Sequence, residues 1–376
     1  MIDLKILGKY LGNVVNIEKI ENKDGKYYAY AKISPFYPDW KGGQLGDRGF
    51  INGAKVLSVK ETEEWVIHEI DKPIELGIYE VQIDEKRRKD IAQQHTGQHI
   101  LSAAFIHVAE IETVGFHMGE EYSTIDLDIP YIEPDVLNEV EELSNQIIQS
   151  NIQIEEIITD VNGANTYPLR KKLSDKIKEE VRLIKIGDFD ISACGGFHTD
   201  YTGEVGLIKI IDTEKVKGNL TRVYAVSGMR ALKYFQKYNS VLKDLSKLLT
   251  SSIDELNLRT QKLLNQVREQ ALTLSKLSEE YAKILATNLQ KEGLIYLEGY
   301  YEVGNFLWKI LDLSNAIFVY FDGEKYIIAS KKHNVKDVIK ALVENYGGKG
   351  GGKEDFGNYM NNKKLSVDDF EKILED

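Results

Sequence analysis

The chain has 376 residues, 29% of them charged, with a formal net charge of −12 at pH 7 and one cysteine. That length exceeds one typical core and points to two or three domains. No apolar run approaches the roughly 18 residues of a membrane span, Met1–Lys9 lacks a signal peptide's apolar stretch, and a lone cysteine excludes an intrachain disulfide and fits a reducing cytoplasm.

Read in chain order, the sequence predicts an α+β multidomain protein. Residues 1–79 alternate short β-rich runs, such as Tyr27–Ala31, with Gly and Asp turns, which suits a small N-terminal β-barrel. Residues 80–238 read as a mixed α/β unit. It holds a helix from Asp90 to Val108, a strand near Ser123–Ile129 and an amphipathic helix from Pro134 to Asn151. Strands near Ile152–Asp160, Val181–Ile186 and Leu207–Ile211 follow. Residues 239–293 are helical in pattern and lack proline. Ile253, Leu256, Leu263, Val267, Leu274, Leu277, Tyr281 and Ile284 form a 3-4 spaced seam, interrupted at Thr260 and Gln270. An intrachain helical hairpin is expected there rather than a dimeric coiled-coil rod. Residues 294–376 read as a small α/β domain. Its strands are Ala316–Phe321 and Tyr326–Ala329, joined at Asp322-Gly323, and its helices are Val335–Asn345 and Val367–Leu374.

Two short clusters carry chemistry. His95-Thr96-Gly97-Gln98-His99 puts two imidazoles four apart, on one face of a helix. Cys194-Gly195-Gly196-Phe197-His198 holds the sole cysteine and a histidine four apart across two glycines, which favours a tight turn. Either pair alone fits ordinary packing. Together, His95, His99, Cys194 and His198 form a donor set that suits tetrahedral Zn2+. No glutamate follows His95, so the zinc-protease motif is absent. The acidic net charge does not exclude a nucleic-acid partner, because phosphate contacts need only a local patch. Lys86-Arg87-Arg88-Lys89, Arg170-Lys171-Lys172, Lys331-Lys332, and Lys349 with Lys353 are candidates, set against acidic clusters such as Glu61–Glu64.

The run Gln94–Ala104 resembles the zinc motif in the editing domain of alanyl-tRNA synthetase and of its free-standing relatives, the alanyl-tRNA editing proteins. Cys194–His198, followed by Thr202–Gly206, resembles the family's second motif. Phe116–Gly119 with Ser123–Asp128, and Arg222–Gly228, are similar to the strands between and after them. Phe36–Asp39, Gly42-Gly43-Gln44 and Asp47-Arg48-Gly49 resemble the glycine-rich segment of the translation-factor-like barrel that precedes the editing domain. Gly347–Lys353 resembles the glycine-rich signature of the synthetase's C-terminal domain. The large form of the editing proteins matches best. The barrel begins almost at Met1, which leaves no room for an aminoacylation core.

The resemblance implies a zinc-dependent hydrolase that deacylates mischarged tRNA(Ala), Ser-tRNA(Ala) foremost and Gly-tRNA(Ala) second. Alternatives are a tRNA-binding protein with a structural zinc, and a metal hydrolase for another aminoacyl ester. Four protein ligands close a tetrahedron, whereas catalytic zinc keeps a position open. His95, His99 and Cys194 are therefore expected as firm ligands and His198 as the weaker one. His117 and Gln98 are the catalytic candidates. Gly42, Gly43, Gln44, Arg88, Arg222, Lys349 and Lys353 are the tRNA- or substrate-binding candidates, with Arg222 alternatively a structural ion pair and the glycines alternatively a barrel turn. The resemblance associates the C-terminal glycine loop with tRNA recognition and homodimer formation. Phe197 replaces the family's usual threonine, removing a hydroxyl and adding bulk near the metal. The first glycine-rich loop reads Asp-Trp-Lys-Gly-Gly-Gln-Leu where the family usually has Glu-Gly-Gly-Gly-Gln-Pro, which makes Trp40 and Lys41 unusual, and the C-terminal signature lacks its trailing glycines.

Overall fold

A computed structural model describes residues 12–173, 180–289 and 292–375. The first eleven positions of the expected barrel (1–11) and positions 290–291 of the expected helical segment lie outside them. The described chain separates into two units, Met1–Val241 and Leu242–Asp376. The finer four-part division at 79/80, 238/239 and 293/294 stands as a proposal about how these units subdivide.

The first unit opens with β1 (Val14–Ile17), β2 (Lys19–Lys23), β3 (Lys26–Ala31), β4 (Gly49–Ile51), β5 (Ala54–Glu61), β6 (Val66–Ile70) and β7 (Gly77–Ile83). Among the described residues these form one nearly closed sheet in the order β1-β7-β4-β5-β6-β3-β2. Alternate side chains point inward, as the two-residue strand period requires. Val15, Ile17, Ala29, Ala31, Val56, Val59 and Ile70 make the core. β7 carries the sheet past Tyr79. His68 is sealed in this barrel, with Nδ1 3.0 Å from the Ala29 carbonyl and Nε2 2.7 Å from Ser34 Oγ. Burial pulls its pKa down to about 4.

Helix α1 (Glu85–Ala109) follows, longer than the sequence predicts. Its start is set by Asp84, whose carboxylate accepts the Arg87 N–H. Its end is set by Glu110 in the left-handed conformation. Residues 91–105 are buried on every side, polar ones included. Such burial requires partners for the polar groups. Gln94 exchanges two 2.9 Å hydrogen bonds with the Ser227 backbone, and Gln93 donates to the Glu204 carbonyl at 2.7 Å. Gly97 lets the helix approach closely here, since an added Cβ would lie 2.2 Å from Ser227 Oγ.

Beyond α1 come β8 (Thr113–Met118), β9 (Ser123–Leu127), α2 (Pro134–Gln149), β10 (Ile154–Asp160), α3 (Val161–Ala164), β11 (Glu180–Ile186), β12 (Asp190–Ala193), β13 (Ile208–Val216), β14 (Leu220–Ser227) and α4 (Gly228–Leu249). One antiparallel sheet has the order β13-β14-β9-β8, leaving β8 at its edge; another has the order β10-β11-β12. Ile100, Leu101, Ala104 and Phe105 of α1 pack with Ile125, Val223, Val140 and Ile184 in one core.

The second unit holds α5 (Leu256–Asn288), β15 (Gly293–Glu298), α6 (Tyr301–Ile310), β16 (Ala316–Phe321), β17 (Lys325–Ser330), α7 (Val335–Tyr346), β18 (Lys349–Gly352), β19 (Phe356–Met360) and α8 (Val367–Glu375). The sheet order is β15-β16-β17-β19-β18. Helices α7 and α8 contribute to the core on one face, while α6 and the end of α5 contribute to that on the other. Covering both faces explains the unbroken apolar runs of β16 and β17. Of the expected seam, Ile253, Val267, Leu274, Leu277, Tyr281 and Ile284 are exposed and Leu256 is buried; the helical hairpin stands as a proposal. The face of α5 that packs is Ser278, Ala282, Leu285 and Leu289, one position along the helix. Among the described residues, no helix is long and apolar enough to cross a membrane.

Candidate metal centre

Helix α1 carries His95 and His99 on one face, and the loop after β12 carries Cys194 and His198. Their donor atoms all lie within 4.8 Å of one another. Cys194 Sγ is 3.4 Å from His95 Nε2 and 3.3 Å from His198 Nε2. A tetrahedral ion with bonds of about 2.0 Å to nitrogen and 2.3 Å to sulfur sets ligand–ligand edges of about 3.3–3.5 Å. The residues present therefore fit a zinc-sized cation.

Each imidazole presents Nε2 inward because something faces its Nδ1, the arrangement that orients metal-binding histidines. His95 Nδ1 lies 2.8 Å from Gln44 Oε1, and that same oxygen accepts the Phe197 N–H at 3.1 Å. The backbone donor fixes which end of the amide is oxygen, and hence the His95 tautomer. His198 Nδ1 lies 3.2 Å from Thr96 Oγ1. His99 Nδ1 faces Asp190 Oδ2 at 3.4 Å. The Asp190 side chain is 0% exposed and is held by Arg170 Nε at 2.8 Å.

The charge distribution suits a cation. Burial pushes the Cys194 thiol up, but His95 and His198 outweigh it and hold the thiol well below its ordinary range. Burial, helped by His95, pulls His198 down to about 3. Burial opposes protonation of His99, yet Asp190 and Cys194 outweigh it and raise its pKa. Burial likewise raises Asp190, and His99 with Arg170 more than reverse that. The loop itself is clamped. Arg182 Nη1 donates to the Cys194 carbonyl at 2.8 Å and to the Gly196 carbonyl at 2.9 Å.

A cavity of about 380 Å³ reaches the centre across His95, His99 and Cys194; Gln98, Gly42 and Phe116 line it too, and Lys171 and Lys172 belong to its wall. A larger cavity of about 690 Å³, lined by His107, Tyr167 and Phe189, contains none of the four donors. The chemistry assigns the site to the smaller one.

The structure brings some of the expected residues to this cavity and not others. Gln98 lines it and donates to Ser102 Oγ at 2.8 Å. Gln44 acts through its side chain, whose Oε1 faces His95 Nδ1. Gly43 seats the loop on β8, its Cβ position 3.1 Å from Phe116 Cδ1. His117 is not at the centre. It points from the other face of β8, towards Thr124 and Arg222, and stacks on Trp40. Arg88 is turned inward: it pairs with buried Asp47 at 2.5 Å, donates to the Pro35 carbonyl at 2.8 Å and covers the Phe197 ring at 4.6 Å. Arg87 is likewise engaged, with Glu120 and the Gly46 carbonyl. Arg222 makes a two-point ion pair with Asp126 at 2.7 and 2.9 Å. Lys349 and Lys353 are exposed in the second unit, on and just after β18. The Phe197 ring packs with Tyr37 and Ala92, outside the cavity lining.

Sequence reasoning missed Asp190 and Arg182, and counted Arg170 only within a basic run. Their one sequence signal is a charged residue inside an otherwise apolar strand pattern, as in Val181-Arg182-Leu183 and Phe189-Asp190-Ile191.

The chain is similar in sequence to known proteins. A family model described as the threonyl and alanyl tRNA synthetase second additional domain matches residues 181–224. The alanyl-tRNA editing protein AlaX-L of Pyrococcus horikoshii is 30% identical over 352 residues, covering 85% of this chain and 84% of that protein. The alanine–tRNA ligase of Lactococcus lactis subsp. cremoris is 27% identical over 386 residues, and that of Pyrococcus abyssi 29% over 349. These cover 94% and 85% of this chain but only 44% and 38% of the ligases, so the chain spans less than half of either. With the alignment to the editing protein running through most of both chains, and the matched domain falling on the segment that carries Cys194 and His198, this chain belongs to the alanyl-tRNA editing protein family.

Proposed function

We propose that this protein hydrolyses the ester between a wrong amino acid and tRNA(Ala), serine foremost and glycine second, at a zinc-centred site formed by His95, His99, Cys194 and His198. The observation that carries this reading is the cavity. It meets three of the four donors and has Lys171 and Lys172 in its wall, as a ligand ending in a phosphodiester strand requires. The need for such an enzyme is physical. An alanine pocket cannot strongly reject a smaller side chain or one that adds a hydroxyl, so a second hydrolytic site restores accuracy.

When bound, the ion supplies a Lewis acid that polarises the ester carbonyl or makes a water acidic. The protein's own groups do the rest. Gln44, Thr96 and Asp190 hold the imidazole rings in place. Gln98 presents an amide on the cavity wall, within reach of a substrate amine or water. Phe116, whose ring stacks on His95 at 5.6 Å, keeps bulk water from that side. A closed four-donor set favours a second reading, a tRNA-binding protein with a structural zinc.

The test is release of serine from Ser-tRNA(Ala) by purified zinc-loaded protein, with Gly-tRNA(Ala) and Ala-tRNA(Ala) alongside. Loss of the seryl ester, with the alanyl ester spared, is expected. Stable seryl and glycyl esters under conditions where the tRNA still binds would favour the structural-zinc reading and sink this one.

A further inference from the structure

The edge of β8 carries a feature that the metal centre does not use. Trp40 has φ 67° and ψ 2°, the left-handed region that a bulky residue occupies only at a cost. It is held there by two hydrogen bonds, Trp40 N–H to the Gln44 carbonyl at 2.9 Å and Gly43 N–H to the Trp40 carbonyl at 3.2 Å. The strain does not bury the indole, which remains 56% exposed. It lays the ring flat on His117, with centroids 5.2 Å apart and planes 11° apart. The neighbouring residues lead straight to the centre. Phe116, one residue before His117, lines the cavity and stacks on His95. Gly42, two residues after Trp40, lines the same cavity. One loop and one strand edge thus present a metal ligand's neighbour to the inside and a flat two-ring stack to the outside.

We propose that the Trp40–His117 pair is a stacking platform for the base of the substrate's 3′-terminal nucleotide, seated beside the cavity that receives the aminoacyl ester. The inference rests on the proposed tRNA substrate. Its chemistry is that of sequence-tolerant single-strand binding, in which an aromatic face takes a base and nearby lysines take the backbone. The open indole face supplies the first, and Lys171 and Lys172 of the cavity wall supply the second. The left-handed backbone of Trp40 leaves its indole 56% exposed rather than packed in a core, an outlier from which a binding role is inferred.

Two measurements test it. Quenching of tryptophan fluorescence is followed on adding uncharged tRNA(Ala), whole or lacking its terminal adenosine, to the wild type and to Trp40→Phe. The whole tRNA should quench the wild type, the truncated one should not, and Trp40→Phe should lose most of the signal. Deacylation of Ser-tRNA(Ala) is then compared for the wild type, Trp40→Phe and Trp40→Gly. Trp40→Gly relieves the backbone strain and should melt no lower than the wild type, while KM rises roughly five- to a hundredfold, the loss of one base stack, and Trp40→Phe keeps most of the affinity. Equal quenching by the truncated tRNA, or an unchanged KM in Trp40→Gly, would overturn the platform even if the wild type deacylates well. The quenching arm reads the platform on uncharged tRNA, so it stands apart from any failure of hydrolysis.

Discussion

Two adjacent glycines should behave oppositely when each is replaced by alanine. A Cβ built on Gly196 would lie 2.3 Å from Gln44 Oε1, 2.3 Å from His95 Cε1 and 2.5 Å from His95 Nδ1. Ordinary contact needs about 3.5 Å, so the His95 ring must retreat by about 1 Å. Metal–ligand distances tolerate only about 0.2 Å. The same methyl group wedges open the His95–Gln44 bond that fixes the ring's tautomer. Gly196→Ala should therefore lower zinc affinity by at least the 10- to 100-fold typical of losing an orienting partner. Overpacking should also cost about 1–3 kcal/mol of stability. A Cβ on Gly195 meets nothing within 4 Å, so Gly195→Ala should leave zinc affinity within about twofold, as benign substitutions do. Competition with a chromophoric zinc chelator reads both affinities, and thermal melts of the metal-free proteins read the packing cost. Equal affinities in the two variants, whether both intact or both lost, would refute the geometry.

Three further predictions follow from buried charges. Asp190→Asn keeps the size but removes the charge that faces His99 and Arg170, and should weaken zinc binding about 10- to 100-fold in the same competition assay; parity with the wild type would remove Asp190 from the site. Arg88→Ala should unfold more readily by about 3 kcal/mol in denaturant melts, because it strands the Asp47 carboxylate, 1% exposed, in the interior; a phosphate-binding arginine would instead leave the melt unmoved and weaken tRNA affinity. His68 has a folded pKa of about 4 against an ordinary 6.5, so the unfolded chain binds the proton more readily and stability falls as pH drops from about 6.5. The loss should approach about 3 kcal/mol by pH 4 and be flattened in His68→Gln, as read by urea melts across that range.

The metal donors were legible because their spacing is local. Four residues is one helical turn for His95 and His99, and two glycines permit the Cys194–His198 turn. What orients them was not legible, because Gln44, Thr96 and Asp190 reach the rings from other elements and belong to residue types that are common on surfaces. Arg88 was misread for the complementary reason: a run of four cations looks the same whether its arginines face solvent or dock a helix on a barrel. Strands β16 and β17 could be read from unbroken apolar runs. Helix α1 was read over Asp90–Val108 and missed its first turn, Glu85–Lys89, a charged, largely exposed run that carries no apolar stripe to mark a helix. The seam of α5 failed by one residue because Tyr281 and Ile284 are larger than Ala282 and Ser278, and apolar size rather than contact set the expected face.

The measurement that bears most directly on the central claim is hydrolysis of Ser-tRNA(Ala) before chelation, after chelation and after zinc is restored, with His95→Ala run in parallel. The account predicts activity that disappears with the metal, returns with it, and is absent throughout in the variant, while tRNA binding persists in every case. Hydrolysis that survives complete removal of zinc, or that persists in His95→Ala, would contradict it.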